Sequence, residues 1–207
     1  MVSYKLTYFN GRGAGEVSRQ IFAYAGQQYE DNRVTQEQWP ALKETCAAPF
    51  GQLPFLEVDG KKLAQSHAIA RFLAREFKLN GKTAWEEAQV NSLADQYKDY
   101  SSEARPYFYA VMGFGPGDVE TLKKDIFLPA FEKFYGFLVN FLKASGSGFL
   151  VGDSLTWIDL AIAQHSADLI AKGGDFSKFP ELKAHAEKIQ AIPQIKKWIE
   201  TRPVTPF

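Results

Sequence analysis

Apolar and polar residues alternate from Tyr4 to Phe9 with the two-residue period of a strand, and the glycine-rich turn Asn10-Gly11-Arg12-Gly13 ends the alternation. From Gly15 to Ala25 the period lengthens to that of a helix, with Val17, Ile21, Phe22 and Ala25 on one face. Tyr29 to Val34 predicts a second strand, and Trp39 to Thr45 a short, less regular helix. Phe55–Val58 and Lys61–Leu63 predict two further strands, joined by the two-residue hairpin turn Asp59-Gly60. Leu53-Pro54 closes the loop entering this hairpin, a place where a cis proline is cheap. Gln65-Ser66 then opens a helix running to about Lys78, with Ser66 in the capping position.

The order β-α-β-α-β-β-α predicts a small mixed sheet covered by helices. After the polar break Leu79–Thr83 the strand signals disappear. A long helix is expected from near Thr83, with Trp85, Ala88, Val90, Leu93, Tyr97 and Tyr100 along its apolar face. A second should run from about Val119 to Leu142, carrying Phe127, Phe131, Phe134, Leu138 and Phe141. Thr156-Trp157-Ile158-Asp159 reads as a capping-box start, with aspartate in the glutamate position. Pro180 and Pro193 mark the first turns of two closing helices. The expected organisation is an α/β domain over residues 2–81 and an all-helical domain over 83–207.

Composition narrows the function. With 24 basic and 24 acidic residues among 207, the net charge is zero, so no nucleic-acid or anionic-membrane footprint is present. No apolar run approaches the ~20 residues of a membrane span. A single cysteine, Cys46, rules out an internal disulfide and fits a reducing compartment. The start, Met1-Val2-Ser3-Tyr4-Lys5, lacks the apolar core of a secretory signal, so a cytoplasmic location is the expectation. Three histidines without metal-ligand spacing give no metal site. Gly11-Arg12-Gly13-Ala14-Gly15-Glu16 misses the last glycine of a dinucleotide fingerprint, and C-x-x-C and G-x-S-x-G are absent.

The remaining chemistry gathers at one end of the predicted sheet. A helix start at Gln65-Ser66 offers free N–H groups to a carboxylate, and the loop at Leu53 has spare backbone groups one hairpin away. The two together suit a short peptide bearing a carboxylate. Tyr8, near the end of the first strand and beside the glycine turn, is expected where an edge of the sheet opens to that ligand.

Tyr8-Phe9-Asn10, Trp39, Lys43, Gly51-Gln52-Leu53-Pro54 and Gln65-Ser66-His67-Ala68-Ile69 together resemble a cytosolic glutathione transferase. Within that family the chain is most similar to the sigma class, which includes haematopoietic prostaglandin D synthase and its nematode relatives. The resemblance runs from Tyr4 to Pro203 and takes in Gly152–Asp159, similar to the family's folding cap. It implies an N-terminal thioredoxin-like domain, a C-terminal helical bundle and the conjugation of glutathione to small hydrophobic electrophiles. Glutathione enters as co-substrate, with no metal. The resemblance gives Tyr8 the catalytic role, its hydroxyl stabilising the thiolate. Leu53 would pair with the cysteinyl backbone, Gln65 and Ser66 would hold the γ-glutamyl carboxylate, and Trp39, Lys43, Gly51 and Gln52 would surround the glycyl end. Asp99 of a second subunit, with Asp95 as competitor, would meet the ammonium of a homodimer's shared site. Phe9, Gly13, Ala14, Tyr107, Phe108 and Phe207 would surround the electrophile. Ala14 in place of a basic residue, and glycine at position 11, imply a roomier, less polar mouth. They favour broad conjugation over a dedicated prostaglandin isomerase. A glutathione-dependent isomerase or peroxidase, and a carrier of haem-like ligands, are the alternatives.

Overall fold

The computed structural model describes residues 2–45 and 48–205. Four strands form one mixed sheet: β1 (Tyr4–Phe9), β2 (Glu30–Val34), β3 (Phe55–Val58) and β4 (Lys61–Ala64), in spatial order β2-β1-β3-β4. β1 pairs parallel to β2 and antiparallel to β3, so β1 is an interior strand. The β3 ladder ends at the Thr7–Phe55 pair, however, and Tyr8 lies one residue beyond it. The opening at Tyr8 is therefore made by the end of a neighbouring strand. Asp59 and Gly60 both have positive φ, as a primed two-residue turn requires.

Helix α1 (Glu16–Ala25) follows a single 3-10 turn at Gly13–Gly15, α2 (Trp39–Glu44) crosses toward the hairpin, and α3 (Ser66–Glu76) returns beside the sheet. Gln65, not Ser66, is the capping residue of α3. Its φ is +73°, no side chain caps the end, and Ser66 is already helical. From Ala84 onward the regular elements are helical: α4 (Ala84–Val111), α5 (Val119–Leu122), α6 (Leu128–Ser145), α7 (Trp157–Ala171), α8 (Pro180–Gln190) and α9 (Pro193–Thr201). The expected Val119–Leu142 helix is interrupted by a π turn over Lys123–Phe127, just ahead of Pro129. A proline that cannot donate its N–H forces such a local rewinding. Trp85, expected on the apolar face of α4, is 73% exposed.

One apolar core runs through both parts, from Leu6, Ile21 and Phe22 beside the sheet to Phe134, Leu138 and Trp157 among the helices. The predicted start of α7 anchors the helical part. Asp159 accepts hydrogen bonds from the N–H groups of Thr156 and Leu150 and from the Thr156 hydroxyl, and His185 Nε2 lies 2.9 Å away. The Trp157 N–H donates to the Leu79 carbonyl at 2.9 Å, fixing this cap to the connection between the two parts. No helix among the described residues is long and apolar enough to cross a membrane.

Candidate active site

Tyr8 is held by glycines and by a buried arginine. A Cβ on Gly13 would stand 2.5 Å from the Tyr8 hydroxyl, and one on Gly15 would stand 2.7 Å from its ring. Only a bare backbone permits that approach, and Gly13 also has φ +34°. The Ala14 N–H donates to the Tyr8 oxygen at 3.0 Å. Arg19, fully buried on α1, donates to the Gly11 carbonyl at 2.5 Å and to Asp31 at 3.0 Å, fixing the turn that carries Ala14. Its guanidinium carbon lies 5.8 Å from the centre of the Tyr8 ring. Burial pushes the Tyr8 phenol above its ordinary pKa, the Ala14 N–H and the Arg19 charge pull it back, and Tyr109 adds a smaller upward push. The phenol therefore stays protonated at neutral pH. With its oxygen accepting from Ala14, its hydrogen is free to donate to a ligand.

A recess of about 70 Å³ opens beside this group, lined by Ala14, Phe50, Gln52, Leu53, Pro54, Ala64, Gln65 and Ser66. The Leu53–Pro54 bond is cis. The Leu53 N–H and carbonyl have no backbone partner among the described residues. The first rung of α3 is Ile69 N–H to the Gln65 carbonyl, which leaves the N–H groups of Ser66, His67 and Ala68 open at the helix start. Gln52, Leu53, Gln65 and Ser66 thus converge on one small cavity. Lys43 passes over Gly51, its Cε 3.5 Å from where a Cβ there would sit, and Trp39 packs on Phe9 with ring centres 5.9 Å apart. Asp95 is ion-paired with Arg71 of its own chain, whereas Asp99 is exposed with no ion pair among the described residues.

A larger cleft, about 430 Å³, lies between α1, α3, α4 and α7. Ala14 and Ser66 line both cavities, which places the Tyr8–Ala14 pair at their shared wall. The aromatic wall expected from Tyr107 and Phe108 is absent from the cleft lining. Tyr107 stacks on Phe127 at 4.6 Å, Phe108 meets the same ring edge-on at 5.5 Å, and the walls come instead from Tyr97, Ala161, Gln164 and His165. Phe9 lies between Tyr8 and Trp39, and Gly13 serves the Tyr8 contact. Gly11 is buried, with its carbonyl engaged by Arg19. Phe207 and Cys46 lie outside the described residues. The mouth is also more polar than expected, because Arg12, Lys98, Ser101, Ser102, Arg105 and Asp168 all line it.

The floor of the cleft is a polar network that local sequence patterns do not reveal. Glu16, 2% exposed, accepts from Arg202 at 2.6 Å and from the Trp198 indole at 2.7 Å. Gln164 accepts from Gln20 at 2.8 Å and from Arg202 at 2.9 Å. Burial lowers the pKa of both His67 and His165 to about 4, with Arg71 adding to the effect at His67, so both are neutral at physiological pH. Arg19 could have been anticipated only as the i+3 partner of Glu16. Nothing local points to Arg202 or Gln164.

Comparison with known proteins agrees along the whole chain. The family model for the glutathione S-transferase N-terminal domain matches residues 4–75, and that for the C-terminal domain matches residues 93–202. The chain is 64% identical to a probable glutathione S-transferase 7 of Caenorhabditis elegans over 208 residues, covering 100% of each. A glutathione S-transferase of the hookworm Necator americanus, described as monomeric, is 58% identical with TM-score 0.94, covering 99% of this chain and 100% of that one. A Nu-class glutathione S-transferase from Haemonchus contortus is 55% identical with TM-score 0.92 over 100% of both chains.

Proposed function

The chain belongs to the glutathione S-transferase family and is a glutathione transferase, and from that premise we propose that Tyr8 activates the thiol of glutathione held in the small recess. The observation that carries the proposal is the Tyr8 hydroxyl itself. Its oxygen is occupied by the Ala14 N–H, and its hydrogen is available at the wall between recess and cleft. A free thiol near pKa ~8.5 is only a few per cent ionised at neutral pH, and two units of lowering would make it mostly thiolate. A donated hydrogen bond to sulfur favours that charged form. The thiol proton leaves to solvent, the thiolate attacks an electrophilic carbon in the cleft, a C–S bond forms and the leaving group departs with its electron pair.

The other predicted residues take roles consistent with their positions. The open Leu53 backbone pairs with the cysteinyl unit, and Gln65 with Ser66 receives the γ-glutamyl carboxylate at the start of α3. Lys43, Trp39, Gly51 and Gln52 face the glycyl carboxylate. Asp99, with no ion pair among the described residues, is the better candidate than Asp95 to reach a second copy's glutathione. That role requires a homodimer, and a purely monomeric enzyme with full activity in sedimentation and kinetic measurements would overturn it. The sigma-type reading rests on the Tyr8 and Gln65-Ser66 motifs, while the Nu-class relative offers the competing assignment. Haem-like ligands or prostaglandins would occupy the same cleft.

Tyr8→Phe tests the proposal. Turnover should fall about 100-fold, the usual scale for losing one positioned donor to developing charge. The glutathione Kd should change less than about threefold. Unchanged turnover would remove Tyr8 from the mechanism.

A further inference from the structure

The wall of the large cleft formed by α4 presents Lys98, Ser101, Ser102 and Arg105. Lys98 and Arg105 are seven residues apart, so they share a helix face about 10 Å apart along the axis. Neither makes a hydrogen bond or ion pair with any described residue. The carboxylates of the cleft, by contrast, are engaged: Glu16 by Arg202, and Asp168 by Arg12 at 3.2 Å. Three cations face two carboxylates in the lining, since the two histidines are uncharged at physiological pH. The excess positive charge is concentrated on one wall, opposite α1 and beside the Tyr97 ring. Arg12 Nε, in the same lining, is buried with no partner among the described residues. A cleft walled by low-dielectric protein focuses such a field on whatever enters it.

We propose that this cleft selects acceptors carrying an anionic group, a carboxylate on a small apolar or aromatic electrophile, with Arg105 receiving the carboxylate and Lys98 reinforcing it. The inference rests on the proposed transferase site and names its substrate class. Arg105 supplies the planar fork that matches a carboxylate, while Lys98 adds a point charge two turns away. The apolar body of the acceptor lies against Tyr97 and Ala161, and its reactive carbon faces the shared wall at Ala14. The neutral net charge of the chain conceals this local asymmetry.

The test uses the full chain with 4-chloro-3-nitrobenzoate and its neutral amide. In each, the thiolate attacks the carbon bearing chlorine, a C–S bond forms, the C–Cl bond breaks, chloride leaves with the electron pair and the thiol proton goes to solvent. The readout is the ratio of kcat/KM for acid over amide, each divided by its uncatalysed rate constant. In the wild type this ratio should exceed one. It should fall about fivefold in Arg105→Gln and about twofold in Lys98→Gln, the scale of a partly exposed charge pair. Arg105→Lys should keep part of it, and 0.3 M salt should compress it through screening. A ratio at or below one in the wild type, or one unchanged in both glutamine variants, overturns the proposal. If neither acceptor is conjugated, there is no kinetic ratio and binding alone is read. Calorimetric binding of unreactive 3-nitrobenzoate then decides the anion site: weaker binding to Arg105→Gln supports it, and equal binding overturns it.

Discussion

The small recess and the large cleft meet at Ala14 and Ser66 yet are built in opposite ways. The recess is made of backbone. The turn at Leu53–Pro54, the strained cap at Gln65 and the open N–H groups of α3 all lie within one short hairpin segment. The cleft is made of side chains from α1, α4 and α7, held by contacts between residues far apart in the chain, such as Glu16 with Arg202. A backbone site fixes the shape of an invariant ligand. A side-chain site can be altered residue by residue, which suits an enzyme that keeps one co-substrate and varies the other.

The comparison breaks most strongly at Glu16. Glu16→Ala leaves the Trp198 indole without its acceptor, leaves Arg202 with Gln164 alone and strips a neighbour from buried Arg19. Losing one partner of such a buried network costs about 3–5 kcal/mol. At about 2–4 °C per kcal/mol for a chain of this size, the melting temperature should drop by roughly 10 °C. Below that temperature the acceptor KM should rise more than the glutathione KM. A change in melting temperature under about 3 °C would show that the network is not what holds the cleft floor.

Gly13→Ala acts at the shared wall. The added methyl would stand 2.5 Å from the Tyr8 hydroxyl on a residue with φ +34°, so the ring must move. Displacing a catalytic group by ~1 Å is enough to cost up to about 100-fold, and a loss in kcat of at least tenfold is expected. Steady-state kinetics with kcat unchanged would mean that the phenol position is not critical. The smallest expected effect belongs to the recess. Ser66→Ala should raise the glutathione Kd about tenfold, the value of one hydrogen bond to a charged group. It should leave the acceptor KM within about twofold. Calorimetry showing an unaltered Kd would remove the Ser66 hydroxyl from the partners of the carboxylate.

The same contrast explains what could be read from the sequence. The hairpin, the helix after Gln65 and the Asp159 cap were legible because each is determined by residues within a few positions of one another. Ser66 was misplaced by one residue because serine is the commoner cap and nothing in the sequence announces a positive φ at Gln65. The resemblance puts Tyr107 and Phe108 beside the electrophile, but no local pattern says what covers them. The π turn that presents Phe127 decides that. Likewise the opening expected beside Tyr8 depends on where the β3 ladder ends, which no local pattern announces. Gln164 and Arg202 gave no local signal, and Arg19 only its i+3 spacing from Glu16, since their other partners are brought together only by folding.

The central claim is that the Tyr8 hydroxyl lowers the pKa of the glutathione thiol. Its most direct test is a spectrophotometric titration of the thiolate absorbance of glutathione bound to the wild type and to Tyr8→Phe. The account predicts a bound thiol pKa well below the free value of ~8.5 in the wild type, restored toward that value in the variant. A bound thiol that titrates as free glutathione does in the wild type, or identically in the two proteins, would contradict it.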